Sequence, residues 1–144
     1  MPEKETLERA RKDKREGKAP STQAGEFVKE EIEHIREGKH GARSTKQAIA
    51  IGLSKARRAG VDLPPPANAS EEVKEQAKRD TRKAKSGKRP SATRSRAMRK
   101  ALKREGHSAA SKTALSRQAR SAAKRRTAAS RSRSAKKAAA TRKK

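Results

Sequence analysis

The residues with the clearest chemical capacity in this sequence are the lysines and arginines of its second half. From Thr81 to Lys144 there are 24 of them and a single acid, Glu105. Cations at this density repel one another, whereas contact with a polyanion releases counterions and is rewarded in free energy. The sequence therefore predicts a surface that binds the phosphate groups of a nucleic acid.

Three groups of neighbouring bases are the candidate binding residues. Because Phe27 is the only aromatic residue, we do not expect binding by base stacking. The expected mechanism is phosphate neutralisation with little sequence preference. DNA is the preferred partner, and an RNA- or ribosome-associated protein is the alternative that the sequence leaves open. The predicted nucleic-acid-binding residues are Arg94, Arg96, Arg99, Lys100, Lys103, Arg104, Arg117, Arg120, Lys124, Arg125, Arg126, Arg131, Arg133, Lys136 and Lys137.

A rival function from another class is a protein-interaction module with a polybasic tail that keeps it soluble or attracts it to an anionic membrane. Against this rival, the basic segments lack the Trp, Phe and Leu face that interfacial helices insert into lipid. No apolar run approaches the roughly 20 residues needed to span a bilayer, so no membrane span is expected. The charged first residues do not form a secretory signal, and we expect a cytoplasmic protein.

Catalytic and metal-ligating patterns are weak in this sequence. His34, His40 and His107 have no cysteine beside them and no zinc-site spacing, so we interpret them as solvent-exposed. Ser44, Asp13 and His40 are residue types used in catalysis, yet nothing in the sequence orients them toward one another. We expect a protein that is not an enzyme, with no metal, no cofactor and no small-molecule substrate.

The elements that must position the basic residues are predicted to be short helices. Capping residues, glycines and prolines place them at about residues 3–16, 21–37, 44–59, 70–85, 91–105 and 108–126. The predicted fold class is all-α with a marginal core. Residues 1–63 would form a small helical domain, 64–69 a proline-rich linker, 70–126 basic helical segments, and 127–144 a disordered tail, because the tail has no larger apolar residue.

The apolar residues that could form a core or an interface lie almost entirely in the first 63 residues. In the second predicted helix they form a stripe at helical spacing, with the glutamates Glu26, Glu30, Glu31, Glu33 and Glu37 expected on the opposite face. In the third, Gly52 lies within an apolar face, where it either permits close helix packing or has no role. Self-association or contact with a protein partner is predicted through Phe27, Ile32, Ile35, Ile49 and Leu53.

Two segments resemble known proteins. Residues 38–60, GKHGARSTKQAIAIGLSKARRAG, and the preceding PSTQAGEFVKEEIEHIREG resemble a family of small basic bacterial proteins known mainly as a domain of unknown function, over about residues 2–63. From Ala122 the sequence is similar to the Lys/Ala-rich tails of linker histones and histone-like bacterial proteins. The first resemblance implies a bacterial cytoplasmic protein and assigns no catalytic or binding residue. From the charge of the second half we further expect an association with DNA in the bacterial nucleoid.

Overall fold

The computed structural model describes residues 2–143, which contain helices and no strand, so the all-α prediction is confirmed. Of the predicted helices, all but the last begin and end within about two residues of their expected limits. In chain order the elements are α1 (Lys4–Arg15), α2 (Pro20–Arg36), α3 (Thr45–Arg58), α4 (Glu71–Ser86), α5 (Ala92–Lys103), a 3-10 turn (Ser108–Ala110), α6 (Lys112–Lys124) and α7 (Ala128–Arg142).

Helices α2 and α3 form the centre of the fold. Helix α1 packs on α2, α4 packs on α3, and the 3-10 turn and α6 contact the α2–α3 pair from another side. One apolar cluster surrounds Phe27 and includes Ala24 and Ala56, while the other surrounds Ile35 and includes Ala48 and Ala110. Much of this buried surface comes from alanine, which permits close helix packing but contributes little apolar area.

Local sequence signals explain where α3 begins and ends. The Ser44 hydroxyl accepts a hydrogen bond from the Gln47 backbone N–H at 3.2 Å, which makes Ser44 the N-terminal cap of the helix. At the other end Gly60 adopts a positive φ of 98°, and the Val61 N–H donates to the Ala56 carbonyl at 3.0 Å. This turn brings Val61 and Leu63 back onto the Phe27 cluster.

Gly52 is the point of closest approach between α2 and α3. A Cβ atom built at Gly52 would lie 2.7 Å from the Val28 Cα and 2.9 Å from the Val28 backbone N. Both distances are shorter than any ordinary carbon contact. Of the two interpretations that the sequence left open for Gly52, the structure supports close helix packing.

The prediction of a disordered C-terminal tail is wrong, because residues 128–142 form helix α7. The helix begins at Thr127, whose hydroxyl accepts from the Ser130 N–H at 3.1 Å, and it contains no glycine or proline. The expectation of disorder rested only on the lack of larger apolar residues that could be buried. Alanine, lysine and arginine have high intrinsic helix propensity, which favours a helix here even without a packed face.

Two further expectations need correction. His34 and His40, which were expected to be solvent-exposed, have side chains only 14% and 11% exposed that lie against buried glutamates. The predicted helix over residues 108–126 is divided, because Ser108–Ala110 forms a 3-10 turn and Ser111 then caps α6. Helix α4 packs on α3 through the buried Ala77 and through a polar contact. Its Asp80 is fully buried and accepts hydrogen bonds from Ser54 Oγ at 2.6 Å and Arg58 Nε at 2.9 Å.

Candidate nucleic-acid interface

The end of α5 is held to the loop between α2 and α3 by backbone hydrogen bonds. The Gly41 N–H donates to the Leu102 carbonyl at 2.9 Å, and the Ala42 N–H donates to the Gly106 carbonyl at 3.0 Å. Gly41 is required for this approach, since a Cβ there would lie 2.1 Å from the Glu105 carbonyl oxygen. The C-terminal end of α5 is therefore attached to the central helix pair.

The start of α6 is fixed to the same helix pair through the 3-10 turn. Ala109 and Ala110 of the turn are buried in the Ile35 cluster, and Leu115 of α6 packs against it. The Thr45 hydroxyl donates to the Ala109 carbonyl at 2.7 Å, and Arg36 Nε donates to the Ala110 carbonyl at 2.9 Å. Because Leu115 packs against the core, the basic residues of α6 are directed outward and are exposed.

The outward side of α6 is an open face formed by residues 112–125 alone, and we call it the α6 groove. Cationic side chains alternate with hydroxyl groups along this face. Both kinds of group commonly bind phosphate oxygens. Four predicted binding residues lie together here, whereas Lys112 and the hydroxyl residues were missed. Thr113, Ser116 and Ser121 each lie four residues before a predicted binding residue and therefore on the same side of the helix. The groove is lined by Lys112, Thr113, Ser116, Arg117, Arg120, Ser121, Lys124 and Arg125.

The remaining predicted binding residues lie on α5, on α7 and beside them. The residues from Arg94 to Lys103 are on α5, with Arg104 at its end, and the residues from Arg131 to Lys137 are on α7. All of the predicted binding residues are exposed. Arg126, just before α7, is oriented by hydrogen bonds to the Ser130 hydroxyl at 3.0 Å and to the Ser134 hydroxyl.

The two halves of the chain differ in how their charges are paired. Within residues 2–80 many cations contact carboxylates, as in the pair between Arg9 Nε and Glu26 Oε2 at 2.8 Å, and this hydrogen bond raises the pKa of Arg9. Lys18 contacts Asp13 and Glu16 at 2.9 Å each, and these bonds raise the pKa of Lys18. From residue 81 to residue 143, in contrast, no lysine or arginine forms an ion pair with a carboxylate of this chain.

The predicted protein-contact residues contribute first of all to the core of the chain itself. Phe27, Ile32 and Ile35 are buried among its helices. Ile49 and Leu53 are partly buried, and Leu53 packs against the Phe27 cluster. Of these five residues, only Ile49 and Leu53 keep substantial exposed area, and a role in binding a partner stays a prediction.

Comparison with known proteins agrees with the first resemblance. Residues 13–67 match the profile of DUF6496, a family of unknown function. The matched segment runs from the end of α1 through α2 and α3 to the prolines, so it contains the central helix pair and none of α4 to α7. No curated protein and no solved structure matches the chain.

The helices of residues 2–143 are short and polar by the standard of membrane proteins. None of them combines the length and the apolar character that a membrane crossing needs, in agreement with the expectation of no membrane span.

Proposed function

We propose that this protein binds nucleic acid without catalysing a reaction on it, as a histone-like or nucleoid-associated protein. Binding takes place through neutralisation of phosphates by α5, α6 and α7, with little dependence on base sequence. DNA is the proposed partner. The central helix pair serves as the scaffold that holds α6 and the end of α5 in place.

The observation that carries this proposal is the α6 groove. It contains five cations, exposed and without carboxylate partners, and no acid. Their unneutralised charge attracts anions, and the neighbouring hydroxyls supply additional donors. A helix of the length of α6, Lys112–Lys124, extends roughly 20 Å at about 1.5 Å per residue. About six phosphates of one DNA strand occupy the same length along the helix axis, at roughly 3.4 Å each.

The proposal is tested by neutralising the groove without disturbing the core. The groove variant replaces Arg117, Arg120, Lys124 and Arg125 by glutamine; all four side chains are exposed, so the fold should be retained. A matched control replaces four exposed cations of α1, Lys4, Arg11, Lys14 and Arg15, by glutamine. Both variants lose the same net charge, so a difference between them reports the location of the interface.

Fluorescence anisotropy with a labelled 20-base-pair DNA duplex gives the readout. We expect the groove variant to bind several-fold to hundreds-fold more weakly than the control, and its salt slope to fall by roughly 0.9 for each phosphate that the variant no longer neutralises. Equal binding by the two variants would contradict an interface on α6. Tighter binding to an RNA duplex of the same length would indicate that the partner is RNA and not DNA.

A further inference from the structure

A buried carboxylate on α2 has no protein partner for one of its oxygens. Glu30 is 2% exposed, although the sequence placed it on the solvent face of α2. Its Oε1 accepts a hydrogen bond from the Glu3 backbone N–H at 2.9 Å, whereas its Oε2 is buried without any hydrogen-bond partner among the described residues. Burying a carboxylate oxygen without a partner is costly, so this oxygen calls for a ligand.

Two further ligating groups lie beside Glu30. His34 follows it by four residues and therefore lies on the same face of α2, with its Nε2 at 3.7 Å from Glu30 Oε1. The same Nε2 lies 2.9 Å from Oε1 of Glu3, which precedes α1. One ligand atom from each of Glu3, Glu30 and His34 falls within 4.8 Å of the others.

A neighbouring set of similar groups is already satisfied by protein contacts. Glu31, also buried, is bonded to Lys55 through Oε1 and lies 3.1 Å from His40 Nε2 through Oε2. His34 is also close to this pair. Because protein groups already engage both oxygens of Glu31, this second set is a poor cation site. The unpartnered oxygen distinguishes Glu30 from Glu31.

We propose that Glu3, Glu30 and His34 bind a divalent transition-metal ion, with Zn²⁺ the best-fitting member of the class. Two carboxylates and one imidazole are donor types that Zn²⁺ accepts, at about 2.0–2.2 Å from the metal. Ligand atoms around a tetrahedral ion at these lengths are roughly 3.4 Å apart. His34 Nε2 lies 2.9 Å from Oε1 of Glu3 and 3.7 Å from Oε1 of Glu30. The unpartnered Oε2 belongs to the same Glu30 carboxylate, so binding through it needs a rotation of that carboxylate. Water completes the coordination.

Metal binding at this site would attach the segment before α1 to α2. Glu3 is half-exposed, with its carboxylate also 3.4 Å from Lys39 Nζ, so an ion can enter from solvent. The two carboxylates offset the charge of the ion. The site needs no nucleic acid and lies outside the α6 groove.

The test uses the full-length, untagged protein, stripped with a chelator, in buffer without nucleic acid. Titration calorimetry with ZnCl₂ should show one saturable site, and the melting temperature should rise by several degrees when Zn²⁺ is added. Glu30→Gln keeps the shape of the side chain and should weaken binding at least tenfold, since even outer-shell partners contribute about 10–100-fold to metal affinity. The exposed Glu33, on the same helix, provides the matched control Glu33→Gln, which should bind like the original protein.

Three outcomes would overturn the proposal. The first is the absence of a saturable site in the original protein, and the second is unchanged affinity in Glu30→Gln. The third is weakened binding in Glu31→Gln that Glu30→Gln does not show, which would assign the ion to the neighbouring set. If Glu30→Gln does not fold by circular dichroism, Glu3→Gln at the half-exposed position replaces it, with the same tenfold weakening expected.

Discussion

Replacement of Gly52 by alanine tests the packing of the central helix pair. A helix gains about 1 kcal/mol when an interior glycine becomes alanine. Here the new methyl group would meet Val28 backbone atoms at 2.7 Å and 2.9 Å. Because backbone atoms cannot rotate away, α2 and α3 must separate, and we expect a cost near the upper end of the usual overpacking range, about 3 kcal/mol. Gly52→Ala should then lower the free energy of unfolding by about 2 kcal/mol.

Gly25 provides a matched control for this substitution. It also lies inside a helix, α2, but a Cβ there would meet nothing within 4 Å. Gly25→Ala should therefore stabilise the protein by about 1 kcal/mol. The two variants together should differ by about 3 kcal/mol, although they carry the same chemical change.

Urea unfolding followed by circular dichroism at 222 nm measures both variants. The midpoint of Gly52→Ala should fall below that of the original protein, and the midpoint of Gly25→Ala should rise above it, with unchanged slopes. If Gly52→Ala is as stable as the original protein or more stable, the close approach of α2 and α3 at this position is wrong.

Two other predictions concern single polar contacts. Asp80→Asn removes the charge that Arg58 and Ser54 contact. It should lower the free energy of unfolding by about 2–3 kcal/mol, given about 1.5–3 kcal/mol for a hydrogen bond to a charged group and the partial exposure of Arg58. Hydrogen exchange should accelerate in α4 around Ala77, and unchanged exchange would contradict the docking of α4 on α3. Lys18 lowers the pKa of Glu16 from 4.5, so the contribution of this pair to stability is present above pH 4.5 and disappears as the pH falls through the lower folded-state pKa. In Lys18→Gln a carbon-detected NMR titration should find the pKa of Glu16 raised toward 4.5, and an identical titration curve in both proteins would show that the two side chains do not interact.

Helix positions could be predicted because their signals are local. The cap at Ser44 and the glycine at Gly60 determine the limits of α3 within one residue of the expected 44–59. The charge of the second half and the exposure of its bases follow from composition in the same way. These features depend on residues that are close together in the sequence, so they can be recognised without the structure.

The burial of acidic residues could not be predicted, because it depends on which helix covers which face. Glu30 and Glu31 lie outside the apolar stripe of α2, yet both are buried, since the segment before α1 covers one and Lys55 and His40 contact the other. Asp80 is buried because α4 contacts α3 through a polar contact in addition to the buried Ala77. The α6 groove was found only in part, because its hydroxyl residues carry no charge signal and Lys112 lies outside the groups of neighbouring bases.

The burial of the apolar residues in the 3-10 turn could not be predicted from the sequence either. Ala109 and Ala110 are too small to be recognised as core positions, yet both are buried against α2 and α3. Their contact directs the basic side of α6 outward. The orientation of the candidate interface therefore depends on two alanines that hydrophobic periodicity does not single out.

The salt dependence of DNA affinity tests the central claim most directly. The full-length protein is titrated onto a labelled 20-base-pair duplex at several salt concentrations between 50 and 200 mM. If six or more of the exposed cations on α5, α6 and α7 contact phosphates, the affinity should fall by about 10³-fold or more over this range, linearly in log–log coordinates. An affinity that is unchanged over the range, or no binding at 50 mM salt, would contradict phosphate neutralisation as the function of these helices.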